Sequence, residues 1–165
     1  MTEPETHRFR DDGRFPNSRL PLAIYRPFLL PDAAAMEATF AAHGWSNAWW
    51  DGIFPCDHVH SIAHEVLGVL AGKIHVAFGA PTGREVAVRA GDVVVIPAGV
   101  VHRKAGGTSD LLVVGAYPGG GDYDIRRGSP GEHAAALGAI AAVPLPAEDP
   151  VFGEAGALRH LWGPP

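Results

Sequence analysis

Between about residues 47 and 117, apolar positions recur in short runs, each closed by glycine or proline: EVLGVLAG, KIHVAFG, REVAVRAG, DVVVIPAG and LLVVGAYPGG. In KIHVAF, Ile74, Val76 and Phe78 fall on one face while His75 and Ala77 fall on the other, which is the period of a strand. Short runs of this kind, spaced by turn signals, predict an all-β sandwich or barrel. Helices are expected only at the flanks. Pro31 and Asp32 open an alanine-rich run that Gly44 closes, and Asp32 is a good cap, so the pattern predicts a helix over 33–43. Ser129, Pro130, Gly131 and Glu132 read as a capping box that opens a second alanine-rich helix over 130–142.

The ends of the chain look different. Residues 1–19 are polar and punctuated by proline and glycine, the composition of a flexible N-terminal arm. Residues 20–30 are apolar and suit an extended segment that lies on the barrel or on a partner subunit. Residues 143–165 are proline-rich and irregular, with Phe152, Leu158 and Trp162 as docking anchors. No internal repeat is visible. The expected organisation is the arm followed by a single domain over 20–165, with its barrel core at about 47–117.

Charge and cysteine content narrow the class. Thirteen basic and 18 acidic residues leave a formal charge of −5, and the nearest approach to a basic patch is Arg126 beside Arg127. A nucleic-acid groove needs clustered Lys and Arg, so nucleic acid is set aside as a partner. The lone cysteine, Cys56, has no internal disulfide partner. The first residues, MTEPETHRFRDDGRF, lack an apolar leader. No apolar run approaches the ~20 residues of a membrane span. These features predict a cytoplasmic protein that does not engage membranes.

The chemistry concentrates in two blocks. In the first, Gly52 is followed by His58, His60, His64, Glu65 and Gly72; in the second, Gly91 is followed by Pro97, Gly99 and His102. On a strand His58 and His60 face the same side. Glu65 opens the run EVLGVL and can face the same point if that strand pairs back antiparallel. His102 arrives from a distant strand, placed by the turn at Pro97, Ala98 and Gly99. A lone histidine in a strand is usually a hydrogen-bonded core or surface residue. Three imidazoles and a carboxylate framed by glycines at set intervals instead make a mixed N/O set for one divalent transition-metal ion, with positions left open for a ligand. The same donors accept Fe, Mn, Ni or Zn. His64 is an alternative to Glu65, since a one-residue shift of the strand would exchange them.

These blocks resemble the two cupin motifs, G-x5-H-x-H-x3–4-E-x6-G and G-x5-P-x-G-x2-H-x3-N. The first matches at every fixed position. The second departs only at its end, where Gly106 stands in place of asparagine. HVHSIAHEVLGVLAGK, GDVVVIPAGVVH and VVGAYPGGGDYD together resemble the bacterial YjlB-like single-domain cupins, from about Pro16 to Trp162. The resemblance implies a single cupin barrel (a jelly roll, or double-stranded β-helix) with short flanking helices, metal on His58, His60, Glu65 and His102, and, since single cupin barrels commonly pair, a homodimer for which residues 20–30 are a candidate interface strand. It implies much less about the reaction, because one fold hosts many functions. A small-molecule metalloenzyme, dioxygenase-like or an isomerase or lyase, is the leading expectation. A non-catalytic barrel that binds a small molecule or metal is the alternative.

Other residues near the blocks have plainer readings. His75 is expected at a rim or on the surface, and His7, His43, His133 and His160 in solvent. Cys56 shares the face of His58 by alternation but reads first as a small buried hydrophobe. Asp122 and Asp124 read as loop-capping groups in a loop that could cover the barrel mouth. Trp45, Trp49 and Trp50 read as core or interface rather than a ligand platform. Arg103 and Lys104 could hold an anionic substrate, with a solvated strand end as the default.

Overall fold

The computed structural model describes residues 3–27 and 31–163. Nine strands and three helices follow one another as β1 (Glu5–His7), β2 (Leu22–Tyr25), α1 (Ala33–Ala42), β3 (Trp45–Asp51), β4 (Glu65–Ala71), β5 (Lys73–Phe78), β6 (Arg84–Arg89), β7 (Val93–Ile96), β8 (His102–Gly107), β9 (Leu112–Pro118), α2 (Glu132–Ala142) and α3 (Leu158–Trp162). They form a six-stranded sheet in the order β1-β2-β7-β4-β9-β3 and a three-stranded sheet in the order β6-β5-β8. The pairings are antiparallel. The fold is the expected all-β cupin jelly roll with short flanking helices.

The apolar pattern explains the layering. β5 alternates, burying Ile74, Val76 and Phe78 against the opposite sheet while Lys73, His75 and Ala77 stay more open. β7 and β4 instead run continuously apolar, because both of their faces are covered. Val94, Ile96, Leu67 and Val69 point between the sheets. Val93, Val95 and Val66 point outward, beneath Met36 and Phe40 of α1 and beneath Leu158 and Trp162 of α3. Gly68 lets α1 sit this close, since a Cβ there would come within 2.1 Å of Met36 Sδ. Asp32 caps α1 as expected, accepting from Ala35 N at 2.8 Å.

The chain ends depart from expectation. The segment read as a loose arm is packed: β1 pairs with β2, Phe15 is buried, and Asn17 Oδ1 accepts from Val101 N at 3.2 Å. Its polarity misleads because its backbone and side chains bond to distant parts of the chain. Within residues 20–30, β2 is inserted between β1 and β7 of its own chain, so both of its edges are already paired; residues 28–30 lie outside the described residues. α2 starts at Glu132, two residues later than expected, with Gly131 at its cap. The Glu132 side chain still accepts from Ser129 N at 2.8 Å. The tail anchors hold, with Leu158 and Trp162 buried, Phe152 half-buried, and Trp162 Nε1 donating to Pro21 O at 2.8 Å.

Candidate metal centre

His58, His60 and His102 reach one point because their backbones are tied together. His58 and His102 form an antiparallel bridge, His58 N donating to His102 O at 3.2 Å and His102 N to His58 O at 3.0 Å. Gly99 N donates to His60 O at 2.8 Å. Gly99 has φ +93, and a Cβ there would also meet Asn17 O at 2.4 Å, so the turn that delivers His102 requires glycine. Val59, between the two histidines, points the other way, into a small cluster with Phe15 and Val101. The alternation expected of residues 58–60 is therefore present, although only single bridges hold them.

One ring nitrogen of each of these three histidines lies within 4.8 Å of the other two, and the three can hold a metal ion. Each Nδ1 faces a backbone carbonyl: His58 to Cys56 O at 2.9 Å, His60 to Asp124 O at 2.6 Å and His102 to Val100 O at 3.0 Å. A carbonyl oxygen only accepts, so each Nδ1 carries a proton and Nε2 is the ring nitrogen left to face the cavity. This is the arrangement by which a protein orients imidazoles for a metal.

Glu65 lies beside them at the start of β4, almost fully buried. Its Oε2 is 3.4 Å from His60 Nε2 and 3.6 Å from His102 Nε2. Its Oε1 accepts from the Tyr117 hydroxyl at 2.9 Å, and that hydroxyl accepts from Trp49 Nε1 at 2.7 Å. Burial alone would raise the Glu65 carboxyl, but the neighbouring His60 and His102 imidazoles hold it well below the ordinary carboxylate range. His58 is pushed down to about 3, first by burial and then by His102. For His60, burial is outweighed by Glu65 and the imidazole is raised. Three Nε2 atoms and a carboxylate gathered in a buried pocket form a donor set that a cation could satisfy.

His64 does not join this group. It accepts from Ala98 N at 2.9 Å and its ring lies 4.7 Å from that of Trp162. Strand alternation at the entry to β4 turns Glu65 inward and leaves His64 on the opposite side. Burial, partly offset by the Pro144 carbonyl, pushes His64 down to about 4. An unfolded histidine titrates near 6.5, so unfolding takes up a proton between those values. The native state is then fully favoured above about pH 6.5 and loses up to about 3 kcal/mol as pH falls toward 4. His64→Asn keeps an acceptor for Ala98 N but cannot titrate. Urea unfolding from pH 7 to 4 is expected to show a correspondingly smaller loss in the variant; equal slopes would refute the assignment.

His75 is at the surface, beside Glu85 at 3.1 Å. His133 bonds to Asp11 and His160 is exposed. His7 and His43 are corrections. His7 is mostly covered and meets Glu5 at 2.7 Å, and His43 Nδ1 reaches Pro150 O at 3.0 Å. Cys56 is half-buried rather than buried, with Arg127 NH1 2.7 Å from its sulfur. Asp122 is exposed, whereas Asp124 is a loop cap. It accepts from Ser61 N, Ser61 Oγ, Ile62 N and Arg126 Nε. Arg103 pairs with Asp57 at 3.2 Å, and neither it nor Lys104 lines the cavity beside the histidines.

That cavity, about 200 Å³, opens from the histidines between β3, β9 and the loop after β9, and Trp49, Trp50, Phe54, Leu67, Tyr117 and Tyr123 supply much of its wall. Trp45 is core, as expected, but Trp49 and Trp50 line the site. Sequence reading missed Tyr117 and Tyr123. The pairing of Val66 with Ala116 sets Tyr117 beside Glu65, and its inward parity on β9 was the available signal.

Residues 51–114 match the family described as Cupin domain. The Bacillus subtilis (strain 168) protein named "Uncharacterized protein YjlB" is 42% identical over 161 residues, covering 97% of each chain. Among solved structures, acireductone dioxygenase from Bacillus anthracis with a cadmium ion in its active centre has a TM-score of 0.42 at 16% identity, covering 55% of this chain and 61% of that one. A DUF861 family protein from Thermotoga maritima has a TM-score of 0.37 at 19% identity, covering 58% of this chain and 96% of that one. The match to YjlB runs through both histidine blocks, the loop that carries Asp124 and the anchored tail, and on that near-complete coverage the chain belongs to the YjlB-like cupins.

Proposed function

We propose that His58, His60, Glu65 and His102 hold one divalent transition-metal ion (iron, manganese, nickel or zinc) and that the protein is a small-molecule metalloenzyme, either dioxygenase-like or an isomerase or lyase. The observation that carries this reading is the set of three Nδ1–H groups committed to backbone carbonyls, which leaves three Nε2 atoms and Glu65 together at the base of a cavity. An ion there supplies Lewis acidity toward substrate oxygens and, if redox-active, electrons for reaction with dioxygen. The chain's own groups do the rest. The carbonyls of Cys56, Asp124 and Val100 fix the rings. Tyr117 holds Glu65 Oε1, so that Oε2 faces the histidines. The aromatic wall keeps bulk water from the reacting end of a bound molecule.

The test is a turnover screen of metal-loaded protein against enediols, diketones, phenols and sugars, with the metals supplied one at a time. Activity is expected with one metal class and is expected to vanish in His58→Ala. Activity that survives in His58→Ala would remove the metal from the mechanism.

A further inference from the structure

The cavity wall carries information about the molecule it takes, given the metal reading above. Tyr117 and Tyr123 stack at 4.7 Å with their rings within 17° of parallel. Trp50, Phe54 and Tyr123 remain 53%, 48% and 43% exposed at the mouth, a cluster of uncovered aromatic surface around a concave site. The polar atoms of the deeper rings are already used: the Tyr117 hydroxyl gives its proton to Glu65 and receives the Trp49 N–H. These two rings therefore offer a ligand faces and edges rather than hydrogen bonds.

Charge is equally one-sided. Asp51 and Glu65 are the carboxylates of the lining, and among the described residues no lysine or arginine lines it. Of the nearby cations, Arg103 pairs with Asp57 and Arg126 with Asp124, and Lys104 does not line the space. A phosphate or an extra carboxylate entering this space would lose water without gaining a cationic side chain. The volume has room for roughly seven water-sized groups at ~30 Å³ each, about one ring with its substituents.

We infer that the cavity takes a small, flat, uncharged aromatic or conjugated molecule bearing two adjacent oxygens, which point toward His58, His60, His102 and Glu65 while the ring lies among Trp49, Trp50 and Tyr123, and that it discriminates against phosphorylated and carboxylated molecules. This rests on the metal reading for the oxygen end and on the wall alone for the rest.

Catechol is the probe, measured by titration calorimetry against full-length protein with and without zinc, a redox-silent ion. The comparison ligands are 3,4-dihydroxybenzoate and phenyl phosphate. Zinc content is read separately by elemental analysis. Catechol is expected to bind the zinc-loaded protein at least tenfold more tightly than either anion. Trp50→Ala is expected to weaken catechol roughly fivefold or more, in line with the loss of one aromatic contact, while zinc content stays unchanged. An anion bound as tightly as catechol, or catechol binding indifferent to Trp50→Ala, overturns the ligand class. Zinc bound with catechol ignored also overturns it, leaving the metal reading intact. Catechol bound, and weakened by Trp50→Ala, in protein that takes up no zinc would retire the metal centre and keep the ligand class. Neither bound would retire both.

Discussion

Protein purified without a histidine tag is expected to carry near-stoichiometric transition metal, and His58→Ala/His102→Ala protein is expected to emerge without it. These two residues are the bridged pair, and their rings are 4.2 Å apart, so the double change removes one side of the donor set in a single stroke. Altering a group that merely orients a ligand costs about 10–100-fold in metal affinity, and removing two ligands should exceed that. Stability gives an independent readout. An ion at a hundred times its dissociation constant stabilises the native state by about 2.7 kcal/mol. For a chain of this size that corresponds to roughly 5–10 °C in Tm. The unaltered protein should show this rise on reloading and lose it to a chelator, and the double variant should show neither. Lower pH should weaken uptake, because the His60 imidazole, raised by Glu65, holds its proton more firmly than an ordinary one and must release it before binding. Chelated samples of both proteins compared by circular dichroism separate metal loss from misfolding. Equal metal in both proteins, or none in either after reloading, would remove the centre.

Much of this arrangement was legible in the chain, because the fold and the histidines announce themselves through local pattern. β4 to β7 and β9 are marked by alternating or continuous apolar runs that end at glycine or proline. β8 is not, since HRKAGG has neither alternation nor apolar content, and its pairing with β5 is imposed by position. β3 hides for another reason: Asn47 has φ +58, and the register with β9 shifts between Ser46 and Trp49. The N-terminal segment reads as loose because its partners are far away; Arg14, for example, donates to the carbonyls of Arg127 and Gly128. At the site, spacing picked out the candidate side chains; alternation allowed only one of His64 and Glu65 to face them, and the resemblance to the cupin motif favoured Glu65. The tautomers, however, are set by three backbone carbonyls, and a carbonyl has no letter in the sequence. The aromatic wall was hidden similarly, since Trp49, Tyr117 and Tyr123 come together only through the β3–β9 pairing and the loop beyond it.

Asp124→Ala is expected to weaken the metal centre from outside the donor set. The Asp124 carboxylate is held below its ordinary range: burial opposes this, but the Ser61 hydroxyl, the Ser61 and Ile62 amides and Arg126 outweigh it. Those contacts pin the loop after β9 to the chain just past His60, and Val59 and Arg126 bridge alongside. The backbone carbonyl of the same residue takes the His60 Nδ1 proton at 2.6 Å. Losing the carboxylate leaves the Ser61 and Ile62 donors to water and costs about 2 kcal/mol, tempered by the partial exposure of the site. Freed of its anchor, the loop no longer holds that carbonyl against His60, and metal affinity should fall about 10–100-fold. Asp122→Ala, on the exposed part of the same loop, should change neither quantity. Competitive chelator titration reports the affinity and urea unfolding of the metal-free proteins reports the stability. If Asp124→Ala loses stability yet keeps its affinity within twofold of the unaltered protein, the loop is a structural clasp and His60 is oriented by other contacts. If both fall together while Asp122→Ala stays unchanged, the sequence GGGDYD is part of the metal centre, although it contributes no ligand to it.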